Sequence, residues 1–197
     1  MNDLRKKVGG YLWGLSGIFL AVGFILHPTL TVEGMLENIW VPDHVMILIS
    51  LFALIFALNF ITFQSPDKIS ILAWVGYIFL SLSAFLFIGI VYFELFLIPK
   101  LAVELPALFH EGLRIGPLKV VLPITALLLV IGHIVYGIPL IRKKILPAIP
   151  FVGLIVFSAP MAFKPVLPDL VATIGAVGYG FFSIYFAIQY SKFQESE

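Results

Sequence analysis

Apolar residues fill this chain in runs of roughly 20, separated by short polar stretches. The runs cover approximately residues 8–27, 44–64, 70–98, 119–141, 146–163 and 169–190. At 1.5 Å of rise per residue, a helix of about 20 residues crosses a hydrocarbon core about 30 Å thick. Inside a bilayer the backbone must satisfy its own hydrogen bonds, which leaves helices or a closed barrel. Barrel strands alternate polar and apolar positions over about ten residues; these runs are apolar on every side. The pattern predicts an all-α integral membrane protein, a single domain over residues 1–197 built as a compact bundle of six transmembrane helices. Short connections make sequential helices antiparallel neighbours.

Between the third and fourth runs the pattern changes. Residues 99–118, "PKLAVELPALFHEGLRIGPL", place Lys100, Glu104, Glu111 and Arg114 on one helical stripe, with leucines and Phe109 elsewhere. An amphipathic segment lying in the outer interface fits this spacing. Pro106 suits the start of a short helix better than the middle of a long one.

Composition sharpens the membrane reading. The chain is 61% hydrophobic and only 12% charged, the latter about half the share of a soluble domain. With no cysteine, disulfides, thiolate chemistry and iron–sulfur clusters are excluded. A net charge of +1 gives no reason to expect nucleic acid as a partner. The first run follows Arg5, Lys6 and Lys7 as in a signal peptide, but no A-x-A-like site follows it, so it reads as a retained span.

Basic residues set an orientation. If the N-terminus is cytoplasmic, the inner segments carry Arg5, Lys6, Lys7, Lys68, Arg142, Lys143, Lys144 and Lys192, and the outer ones Lys100, Arg114, Lys119 and Lys164. The excess inside predicts a multi-pass cell-membrane protein with both termini cytoplasmic. Tyr11, Trp13, Trp74 and Tyr190 then fall near the inner boundary, Trp40 and Tyr92 near the outer one, as an aromatic belt would.

Candidate chemistry gathers in the first outer loop, "FILHPTLTVEGMLENIWVPDH". His27 ends the first run and His44 opens the second, with Asp43 before it as an N-cap; Glu33 and Glu37 read as a wet loop. Glu94 lies near the outer end of the third run and His110 in the interfacial segment. Titratable groups are costly in hydrocarbon and usually face the bundle interior or a wet cavity. His27, His44, Glu94 and His110 are therefore expected to line a small-ligand or metal site, with His27, His44 and His110 as candidate ligands for a divalent ion. Histidines on adjacent helices at one depth also suit a single b-type haem, with Gly23 leaving room for the ring.

A competing reading is a proton-coupled small-solute transporter, using Glu94 outside and a thinner polar set of Asn59, Tyr77 and His133 inside. A third is a non-catalytic subunit that meets a membrane-protein partner, or a second copy, through small-residue ridges at Gly10 and Gly14 and at Ala172, Ala176 and Gly180. Val177-Gly178-Tyr179-Gly180 resembles the potassium-channel filter. A filter needs an extended strand of carbonyls and a fourfold assembly, whereas here the tetrapeptide sits deep in a continuous apolar run, where helix is expected.

Overall fold

A computed structural model describes residues 2–29, 31–64, 66–109, 118–163 and 167–193. Among them there is no strand. The chain forms α1 (Asn2–Leu26), α2 (Val32–Met35), α3 (Trp40–Thr62), α4 (Ile71–Phe96), α5 (Ile98–Glu104), α6 (Leu118–Arg142), α7 (Ala148–Ala162) and α8 (Asp169–Phe193). Five of these, α1, α3, α4, α6 and α8, are long and apolar enough to cross a membrane. The protein is a polytopic helical membrane protein. The run at 146–163 departs from expectation: it yields a helix of only 15 residues, because Pro147 stands as its N-cap and the chain turns at Phe163.

The six longer helices close on themselves. α1 lies against α3 and α8, α3 against α4, α4 against α6, α6 against α7, and α7 against α8. Glycines permit the closest approaches. Gly10 faces Tyr190 and Ala187, Gly14 faces Ala187 and Ser183, and Gly180 faces Ala21 and Gly17, so α1 and α8 run antiparallel. The ridge residues Gly10, Gly14 and Gly180 thus serve packing within the chain, and Ala172 and Ala176 are buried. Val177–Gly180 is helical, inside α8.

The main core includes Trp13, Leu20, Leu51, Leu58, Leu80, Tyr136, Phe151, Tyr179 and Phe186. A smaller one joins Met35, Trp40, Ile98, Ala102 and Phe109, where α2, α5 and the 3-10 turn Pro106–Phe109 pack over the start of α3 and the end of α4. Three aromatics expected at the membrane boundaries point inward instead: Trp13, Trp40 and Tyr190 are at most 1% exposed. They fill the core, whereas Tyr11 and Tyr92 remain exposed.

Within residues 99–118, Lys100 and Glu104 approach to 3.9 Å on α5. Helix α5 is short, and Pro106 opens the 3-10 turn as its fixed φ favours. Glu111 and Arg114 lie outside the described residues.

At the far end of α6 the backbone turns through Lys144, whose φ is 57°. Ile145 N–H donates to Leu140 O at 2.8 Å and Lys144 N–H to Ile141 O at 2.9 Å, the pairing of a Schellman cap. Glycine is the usual residue there, since a Cβ in the left-handed region costs about 1 kcal/mol. Lys144→Gly is expected to raise stability by about that amount, read as a higher unfolding midpoint in detergent. A lower midpoint would mean that the lysine side chain contributes more than its backbone costs.

Candidate metal centre

Local sequence explains how the site is assembled. A proline disfavours helical backbone in the residue before it, so α1 stops at Leu26 and His27 sits at the break before Pro28. His27 Nδ1–H donates to Pro28 O at 2.8 Å. After the short α2, capped by Thr31 Oγ1 accepting from Gly34 N–H at 3.2 Å, the chain enters α3 at Trp40.

This start lies one turn earlier than the apolar run suggests, with two consequences. Pro42 falls in the first turn, where its missing N–H is no loss. Asp43 is no N-cap: that position is Ile39, which makes no side-chain cap bond. Asp43 lies instead within the first turn, where the helix dipole favours an acid.

Helical spacing then places Trp40, Asp43, His44 and Ile47 on one face, and all four are buried. That face meets α1 at Gly23. A Cβ there would run into Ile47 and the Asp43 carbonyl, so glycine lets the two helices close. The space expected to admit a porphyrin is filled by Ile47.

The side chains converge. The rings of His27 and His44 are 5.1 Å apart, Trp40 lies 4.2 Å from His44 and 5.8 Å from His27. One ligand atom each from His27, Asp43 and His44 lies within 4.8 Å of the others, and this group can hold a metal ion. Glu94, near the end of α4 and 9% exposed, brings Oε2 to 3.5 Å from His44 Nε2. Trp40 Nε1–H donates to Glu94 O at 3.0 Å, tying α3 to α4 beside the cluster.

Hydrogen bonds fix the orientation of His44. Its Nδ1 is 2.7 Å from Trp40 O and 2.8 Å from Asp43 Oδ1. A carbonyl can only accept, so Nδ1 carries the proton and donates. His44 Nε2 and Asp43 Oδ2 are buried without hydrogen-bond partners. An unsatisfied buried group costs about 1–3 kcal/mol, and a cation at His44 Nε2 would remove that cost there.

The sequence-predicted residues divide accordingly. His27, His44 and Glu94 come together; His110 lies outside the described residues. The inner set does not join them. Tyr77 OH donates to Asn59 Oδ1 at 2.7 Å, and Asn59 Nδ2–H to Ile55 O at 2.9 Å. His133 Nδ1–H donates to Leu129 O at 2.8 Å, while Nε2 accepts from Tyr179 OH at 3.1 Å. These groups are satisfied pairwise, and along α3 Asn59 stands roughly 22 Å from His44.

Trp40 and Asp43 are the residues that reading by apolar runs misses. Their i, i+3, i+4 spacing with His44 would have found them once Pro42 was taken as a first-turn residue.

The chain was compared with protein-family models, with curated proteins and with solved structures. None matches it. The functional reading therefore stands on the geometry.

Proposed function

We propose that this is a six-span membrane protein, with both termini cytoplasmic, that binds a divalent transition metal at the extracytoplasmic end of its bundle. The excess of basic residues in the segments at the opposite end supports the orientation. Helix α7 serves as the sixth span. Its 15 residues reach roughly 22 Å, and a short span is accommodated by local thinning of the bilayer.

The observation that carries the metal reading is the convergence of two imidazoles and two carboxylates in one buried cluster: ligand atoms of His27, Asp43 and His44 lie within 4.8 Å of one another, and Glu94 Oε2 stands 3.5 Å from His44 Nε2. Imidazole with carboxylate suits zinc, iron or manganese better than soft copper(I). Haem draws less support. A macrocycle would have to part rings 5.1 Å apart and displace Trp40 from its place 4.2 Å from His44. Transport draws less support too, because His133 and Asn59 are each engaged in a local pair remote from Glu94.

Titration of the purified protein in detergent with Zn²⁺ or Co²⁺ tests the proposal. About one equivalent per chain should bind, and His27→Ala should lose it. A wild-type protein that takes up neither ion, and carries no metal by elemental analysis, would overturn the reading.

A further inference from the structure

The geometry points to Glu94 as a ligand of the bound ion, through the side of His44 that faces α4, and to Asp43 as the residue that holds His44 in place. This deepens the metal reading above and rests on it.

Which nitrogen of a histidine can bind depends on which one carries the proton. A metal takes the lone pair of a deprotonated ring nitrogen. His44 Nδ1 donates to the Trp40 carbonyl at 2.7 Å, and His27 Nδ1 donates to the Pro28 carbonyl at 2.8 Å. His44 therefore binds through Nε2. For His44 this excludes Asp43 from the same ion. Its Oδ1 lies 2.8 Å from Nδ1, on the opposite side of the ring from a metal at Nε2.

Glu94 is on the correct side. With bonds of 2.0–2.2 Å, two ligands on one tetrahedral ion stand about 3.3–3.6 Å apart. Glu94 Oε2 and His44 Nε2 are separated by 3.5 Å, yet the contact does not satisfy Nε2 as a hydrogen bond. The two groups thus face each other at nearly the spacing one shared ion imposes. The Trp40 indole holds the Glu94 carbonyl at 3.0 Å, so the backbone carrying this carboxylate is fixed relative to His44.

Asp43 then completes a carboxylate–imidazole–metal arrangement, in which the outer acid fixes the tautomer and raises the basicity of the ligand. The proposed set is His44 Nε2 and Glu94 together with His27, two imidazoles and a carboxylate, leaving room for water or an exogenous ligand on the ion. That composition fits a divalent borderline ion and a site open to exchange.

Co²⁺ titration of the wild type, Glu94→Gln and Asp43→Asn, followed by visible absorption, separates the two roles. Glutamine preserves the backbone bond from Trp40, and asparagine still accepts from His44 Nδ1–H; circular dichroism and gel filtration confirm that each variant is folded. Glu94→Gln should weaken Co²⁺ binding by at least about 100-fold and change the band positions of any complex formed at high Co²⁺. Asp43→Asn should weaken it by about 10–100-fold, as loss of an outer partner does, with band positions unchanged. If Glu94→Gln binds as the wild type does while Asp43→Asn changes the spectrum, Asp43 is the ligand and this assignment fails, with metal binding intact. If the wild type binds no Co²⁺, both readings fail together. Should Glu94→Gln not fold, Glu94→Asp takes its place: a shortened ligand should shift the bands, and an unchanged spectrum would count against the assignment.

Discussion

Gly76→Ala is expected to destabilise the bundle by about 3 kcal/mol, the upper part of the range for overpacking a filled core. Gly76 lies on α4 against α6, and a Cβ there would collide with the backbone of Tyr136 and Val135. A flexible side chain swings aside at small cost; a helix backbone does not. The added methyl must push α4 and α6 apart, which strains the Thr62 to Tyr136 hydroxyl bond at 2.9 Å and the Tyr77 to Asn59 bond beside it. Gly89, on the same helix, is the control. A Cβ there meets nothing within 4 Å, and Gly89→Ala should stabilise by about 0.5–1 kcal/mol through helix propensity alone. Unfolding midpoints in detergent should move in opposite directions. If both variants shift the same way, the close approach of α4 to α6 is not what limits this position.

The second large effect concerns His44, which is fully buried beside Asp43, itself fully buried. His44→Leu removes the partner and leaves the acid with nothing to satisfy it. Breaking a buried pair from one side costs about 3–5 kcal/mol. Removing both members is far milder, because no unpaired group remains. The Asp43→Ala, His44→Leu double variant should therefore recover most of the stability that His44→Leu loses. Chemical or thermal denaturation of the three variants would measure the coupling. A double variant no more stable than His44→Leu would show that the histidine acts through packing against Trp40, not through its acid.

Much of the molecule was legible in the sequence. The apolar runs gave the long helices to within a few residues, since nothing but a helix can hide its backbone in lipid. His27, His44 and Glu94 stood out because titratable groups are rare in such runs, and in the fold they meet.

What was not legible depended on where elements stop. Starting α3 at Trp40 instead of His44 turned Asp43 from a cap into the partner of a buried imidazole, and Trp40 from a belt residue into part of the cluster. Apolar character is blind to that shift, because a first turn carrying Pro42 and Asp43 reads as loop. In α6 and α7 the limit was different. The break between them was marked by Arg142, Lys143 and Lys144, but the shorter extent of α7 is set by Pro147 at its N-cap and the turn at Phe163, local backbone features that a hydropathy average passes over. The seam between α1 and α8 was visible only as glycine ridges, whose spacing is the same whether the surface they fit belongs to this chain or to another.

That seam bears on biogenesis. The groove α1 presents through Gly10, Gly14 and Gly17 is filled by a helix made more than 140 residues later. During synthesis it must wait open in the lipid until α8 has been inserted, and only then does the barrel of helices lock. Chains stalled before that point would carry an unfilled furrow along α1, an obvious handle for membrane quality control.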